Sequence, residues 1–197
     1  MILLIYILTL FSFSQEKFMV MTSSEQLLSA SERYCLSVIG TIEATGNNDG
    51  VIIENIIKTG GGLKGYPYCY YYQYWAYEMA TKEINQNSCV QVKNPMVKSG
   101  SSQAMFDYAK KLNKKVPYQV AKHDLIVWKS AKSWSGHIER VKKVLGGGYV
   151  MTYAGNTSNG LSGDQREGNG IFIRKRNVNH PLSRLLKLRG LVGYEWL

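Results

Sequence analysis

The chain has 197 residues, 45% of them hydrophobic and 19% charged, which suits one domain with a sizeable core and excludes an intrinsically disordered chain. Lys and Arg outnumber Asp and Glu by 24 to 14, a net charge of +10, so an anionic partner is expected: a cell-envelope polymer, membrane headgroups or nucleic acid. Three cysteines, with no CxxC pair among them, exclude a disulfide framework, leave at least one thiol free and argue against a structural zinc site.

Residues 1–13, from Met1 to Phe13, are almost wholly apolar. The run is short for a membrane span and has the length of a signal-peptide core, so residues 1–18 are expected to direct export. No Lys or Arg precedes it; the alternatives are an N-terminal strand or a start at Met19 or Met21. A first helix is expected from about Ser24 to Ile39, with Ser23 and Gln26 at capping-box spacing and Cys35 on its buried face. Gly46-Asn47-Asn48-Asp49-Gly50 reads as a turn, and a second helix follows to Thr59, where Gly60, Gly61 and Gly62 end it.

Pro67 suits the first turn of a third helix, expected from Pro67 to Asn85, and nothing in that stretch breaks it. Cys69 then falls in the first turn, where the helix dipole favours a thiolate. The tyrosines at 68, 70, 71, 72 and 74 are read mainly as core, with hydroxyls reaching water or backbone. Residues 86–103 are polar and turn-rich, and a short helix is expected from about Ser102 to Leu112. Lys110, Lys111, Lys114 and Lys115 form a basic cluster at its end.

From Val116 onwards the pattern changes to strands: residues 124–128, 136–145, 149–154 and 171–176, with a closing strand in the tail from Leu185. Helices first and antiparallel strands second predict an α+β domain. With Gly146-Gly147 as a two-residue loop, paired residues in the hairpin sum to 293 and His137 lies opposite Asn156, side by side on one face. A cysteine at a helix start, a histidine on a strand and a polar residue to fix the imidazole tautomer make a constellation for thiol chemistry on an acyl carbon.

Four segments carry a resemblance. Pro67-Tyr68-Cys69 resembles the Pro-Trp-Cys segment of the CHAP-domain family, cysteine, histidine-dependent amidohydrolases and peptidases acting on peptidoglycan. Asp124-Leu125-Ile126-Val127-Trp128 resembles the family's Gly-Asp-Leu-Val-Val-Phe strand. Gly136-His137-Ile138 is similar to its Gly-His-Val/Ile, and Gly155-Asn156 to its Glu-Gly-Asn. The lead-in Ile39-Gly40-Thr41-Ile42-Glu43 is similar to that of bacterial and phage members. The likeness spans about residues 30–176.

The resemblance implies a papain-like fold over residues 22–197, with N-terminal helices packed on a C-terminal antiparallel sheet. It implies Cys69 as nucleophile, His137 as base and Asn156 as the orienting residue. The implied activity is peptidoglycan hydrolysis at an amide bond, as an N-acetylmuramoyl-L-alanine amidase or an endopeptidase. The protein would act as a monomer, secreted, periplasmic or wall-associated, or delivered by phage, with the positive charge drawing it to an anionic envelope. The alternative is a catalytically impaired module that binds wall glycan or peptide. No nucleic-acid partner is expected, because no such motif is present.

Three positions depart from the family's pattern. Tyr70 follows the cysteine where Ala, Ser or Thr is usual and is expected to narrow the site. Lys122-His123 replaces Pro-Gly, making His123 a competing histidine, read here as a loop residue. Ala154 stands where many members have Glu. By the register Ala154 faces Glu139, on the same face as His137. Glu139 is expected either to supply the missing carboxylate or to be a solvated strand charge. The acidic segment that binds calcium in some members is absent, with no Asp or Glu from Lys58 to Tyr68, so neither metal nor cofactor is expected.

Overall fold

In the computed structural model, residues 21–89, 91–111, 119–160 and 168–193 are described, with side chains at 110 and 111 excepted. The expected export segment, residues 1–18, and Lys114 and Lys115 of the basic cluster at the end of the fourth helix lie outside them. Four helices precede five strands: α1 (Ser23–Ser37), α2 (Val51–Thr59), α3 (Cys69–Asn87), α4 (Ser102–Lys111), β1 (Leu125–Ser130), β2 (Gly136–Gly146), β3 (Tyr149–Thr157), β4 (Gly170–Asn177) and β5 (Leu186–Val192). The strands form one antiparallel sheet in the order β4-β3-β2-β1-β5. The chain is α+β, helices first and sheet second, as its patterning predicts.

α3 is the central helix. It contains neither Gly nor Pro, and from Cys69 to Tyr77 every residue is buried, so its first half has no polar face to give to solvent. On one flank Tyr70, Tyr74 and Tyr77 pack with Leu27 and Leu28 of α1, Met105 and Phe106 of α4, and Leu125, Val127 and Ile138 of the sheet. On the other, Tyr72 and Trp75 pack with Ile53, Ile56 and Ile57 of α2, with Cys35, and with Tyr153 and Ile171. A third cluster, including Ile126, Trp128, Val141 and Val150, lies among the strands and the β5 side. Buried tyrosines need partners for their hydroxyls. Tyr72 donates to the Cys35 carbonyl at 2.8 Å, Tyr70 to the Val97 carbonyl, and Tyr153 to Glu32 at 2.7 Å.

Several expectations shift by a residue or two. The capping box of α1 is Thr22 with Glu25, not Ser23 with Gln26. The Thr22 N–H donates to Glu25 at 2.8 Å, the Glu25 N–H donates to the Thr22 hydroxyl at 3.2 Å, and Gln26 instead reaches back to the Met21 carbonyl. Pro67 lies outside α3; Tyr68 is the capping residue and Cys69 the first helical one. The hairpin turns on Gly147-Gly148, both at positive φ, between the paired Gly146 and Tyr149. Two register shifts then bring the strands to Arg140↔Tyr153, the expected sum of 293. The ladder stops there, so His137 and Asn156 are not a cross-strand pair. The partner of His137 is Trp128 on β1. Gly155 accepts Tyr72 so closely that a Cβ would stand 3.0 Å from its ring, and the next residue, Asn156, bulges out at φ 58°.

Candidate active site

Cys69 opens α3 at the wall of a cleft of about 550 Å³. Tyr66, Pro67 and Tyr71 line it around the start of α3, residues 99–102 at the start of α4, and Trp134, Ser135 and Gly136 at the start of β2. The first bond of the helix runs from the Tyr72 N–H to the Tyr68 carbonyl at 2.8 Å. The N–H groups of Cys69, Tyr70 and Tyr71 therefore have no acceptor within the helix and sit at its positive end. Tyr68 is anchored from behind: its hydroxyl donates to Glu43 at 3.0 Å, and Glu43 accepts the Asn48 N–H at 3.0 Å.

His137 is the second residue of β2 and fully buried. Its Nε2 lies 3.0 Å from Glu139 Oε1. An ionised carboxylate only accepts, so Nε2 carries the hydrogen and Nδ1 is the basic nitrogen. Nδ1 makes no hydrogen bond among the described residues, while the Cys69 thiol is close enough to stabilise the protonated ring. Burial opposes a charge on the imidazole, but Cys69 and Glu139 outweigh it and push its pKa up to about 9. The Trp128 ring, with its centroid 5.9 Å away, covers the imidazole.

Glu139 is fully buried and is the partner that sequence reasoning placed two ways. Besides His137 it accepts from Thr152 Oγ1 and from Arg176, whose Nε is 3.0 and 2.9 Å from the two carboxylate oxygens and whose Nη2 reaches Oε1 at 2.5 Å. Burial acts against its charge; Arg176 and His137 prevail and bring its pKa down to about 2. It is not a solvated strand charge. Thr152 and Arg176 were not singled out from sequence. Arg176 sits in an Arg-Lys-Arg run at the end of β4 that reads as a surface charge, and only the sheet order brings it beside Glu139.

Asn156 does not hold the imidazole. It is 1% exposed, in the bulge beyond the end of the β2–β3 ladder, and its Nδ2 has no partner among the described residues. Tyr70 does not narrow the cleft, because its side chain goes into the core toward α4. His123 does not compete for the thiol. It precedes β1 at φ 76°, and its Nδ1 accepts from Arg140 Nη2 at 2.7 Å. The three cysteines are free thiols, Cys35 buried and Cys89 exposed. Among the described residues no cluster of His, Cys, Asp and Glu is placed to hold a metal ion, and no helix is long and apolar enough to cross a membrane.

Cys69, His137, Glu139 and Arg176 thus form one buried relay from the cleft to the sheet. It can hold an imidazolium at one end, balanced by a carboxylate–guanidinium pair at the other. The chain matches no protein-family model and no curated protein.

Proposed function

We propose that the protein is a papain-like cysteine amidohydrolase of the CHAP kind that cleaves an amide bond in peptidoglycan. The observation that carries this reading is Cys69 at a helix start on an open cleft together with His137, whose far nitrogen is held by Glu139 and whose protonated form Cys69 favours. The four sequence segments quoted above supply the substrate class, and the net charge of +10 suits an anionic envelope.

In this scheme the Cys69 proton resides on His137 Nδ1, and Sγ attacks the acyl carbon. The carbonyl π electrons move onto oxygen, and the Cys69 backbone N–H donates to that oxyanion. Collapse of the tetrahedral intermediate breaks the C–N bond. The departing amine takes the proton from Nδ1, leaving a thioester on Cys69. Water, losing a proton to His137, attacks the thioester; the acid departs and the thiol is restored. Glu139 keeps Nε2 protonated throughout and stabilises the imidazolium. Glu139 replaces Asn156 in the orienting role that the resemblance implied.

A catalytically impaired binding module was the competing expectation. Its two motives were Tyr70 and the missing carboxylate at Ala154. Tyr70 points into the core, and Glu139 offers a carboxylate to the imidazole. The test is direct. Wild type and Cys69→Ala are incubated with purified peptidoglycan, and newly released amines are measured. Release by wild type alone is expected; equal signals from the two overturn the enzyme reading. Fragment masses assign amidase or endopeptidase.

A further inference from the structure

The end of the sheet farthest from the cleft is built differently from the rest of the surface. β1 pairs with β2 only as far as Arg140, and the loop before β1 bonds no further than Val141. On that side residues 142–149 therefore run past β1 with no strand beside them, while β4 flanks β3 on the other side as far as Tyr149↔Asn177. Three apolar side chains stand at the tip of the β2–β3 hairpin: Val144 is 40% exposed, Leu145 45% and Tyr149 43%. Gly146, Gly147 and Gly148 form the turn and carry no side chains of their own; the Asn177 and Asn179 side chains lie against Gly148 alone. A hairpin tip in water is usually built from Asn, Asp and Gly.

The flanks of the tip are cationic. Lys142 and Lys143 lie on β2, and Lys175 on β4 holds its ammonium 4.7 Å from the centre of the Tyr149 ring. An apolar tip inside a cationic collar is the pattern of a protein segment that enters the headgroup layer of an anionic bilayer. A soluble polyanion would engage the lysines but gain nothing from exposed Val144 and Leu145.

We infer that the β2–β3 hairpin tip is a docking site for an anionic lipid bilayer, with Val144, Leu145 and Tyr149 entering the interface and Lys142, Lys143 and Lys175 meeting the headgroups. The position of the tip sets the orientation. Gly136, at the other end of β2, lines the cleft. Ten residues of strand separate it from Gly146, roughly 30 Å at the usual rise. A protein docked by the tip holds its cleft away from the membrane. The site lies outside the Cys69 machinery and does not depend on the hydrolase reading.

Sedimentation with vesicles tests it. Wild type is mixed with vesicles of phosphatidylglycerol and phosphatidylcholine, with phosphatidylcholine alone, and with immobilised heparin as a soluble-type polyanion. Binding to the anionic vesicles and not to the neutral ones is expected. The double variant Val144→Ser, Leu145→Ser should bind those vesicles roughly tenfold more weakly while keeping its heparin affinity. Lys142→Gln with Lys143→Gln should weaken both. Cys69→Ala should bind as wild type, which separates this result from any result on hydrolysis. Lys143, Val144 and Leu145 are exposed and Lys142 is half-buried, and unchanged thermal melts confirm folding. As a second readout, Leu145→Trp should gain fluorescence quenching by brominated acyl chains over wild type. Failure to sediment with anionic vesicles overturns the inference. So does wild-type affinity in the double serine variant, or an absence of added quenching, either of which reduces the tip to a charge-only contact.

Discussion

Glu139 lies between a group that must change its charge and one that never does. The Arg176 guanidinium grips both carboxylate oxygens and keeps Glu139 anionic, so it orients His137 without taking its proton. The negative charge in turn favours the imidazolium. That gives the site a pH signature. The His137 pKa is raised to about 9, so the imidazolium is present below that value and is lost as pH rises through it. kcat/KM on peptidoglycan should therefore fall on an alkaline limb near pH 9. Glu139→Gln keeps the shape but removes the charge, and the limb should move toward neutral pH. kcat should drop roughly 10²-fold or more, with KM little changed. Full profiles of both proteins check this. An unmoved limb in the Gln variant would mean that Glu139 is only structural.

Between residue and fold stand the elements, and the site depends on how tightly two of them meet. Gly136 starts β2, just before His137. A Cβ there would stand 2.2 Å from the Trp128 carbonyl on β1 and 2.2 Å from Gln103 Nε2 on α4. Gln103 can swing away, but a paired backbone carbonyl cannot. Gly136→Ala should therefore push the start of β2 off β1 and displace the imidazole. A stability loss of about 1–3 kcal/mol is expected from overpacking, together with a larger proportional loss of kcat than of binding. Denaturant melts and kinetics measure the two. The same scale shows what the sequence could reveal. Cys69 and His137 were legible because each sits at the start of an element, with glycines marking the boundary. The orienting carboxylate was half legible: its spacing of two from His137 put both on one face. Asn156 misled because uninterrupted pairing was assumed, whereas the Gly155 contact with Tyr72 and the adjoining bulge bend β3 away. Arg176 was hidden in a basic run, since only long-range sheet order tells a buried guanidinium from a solvated one.

At the scale of the whole molecule, two histidines tune stability in opposite directions. His137 has a raised pKa, so its contribution is full below about 6.5 and is lost as pH climbs through about 9. His123 is the reverse case. Burial and the adjacent Arg140 charge push its pKa down to about 3, because its neutral Nδ1 accepts from Arg140. Arg140 is fully buried and also donates to Ser31 at 2.9 Å and to the Leu28 carbonyl at 3.0 Å, which ties β2 to α1. His123 holds this acceptor in place at a positive φ where glycine would be easier, so its backbone strain is offset by the satisfaction of a buried cation. The unfolded chain takes up a proton near pH 6.5 that folded His123 refuses. Stability should therefore fall as pH drops from 6.5 toward 3. Glu139, with its pKa depressed to about 2, contributes to the acid loss only below about pH 4.5. The window from 6.5 to 4.5 thus isolates His123 from Glu139. Asn tolerates the left-handed backbone and has an oxygen to accept from Arg140, but it does not titrate. Urea melts from pH 7 to 4.5 should show wild type losing stability steadily while His123→Asn stays nearly flat. Parallel curves would place the acid sensitivity elsewhere, and a His123→Asn protein far less stable than wild type at pH 7 would show that the imidazole itself is what the Arg140 cluster requires.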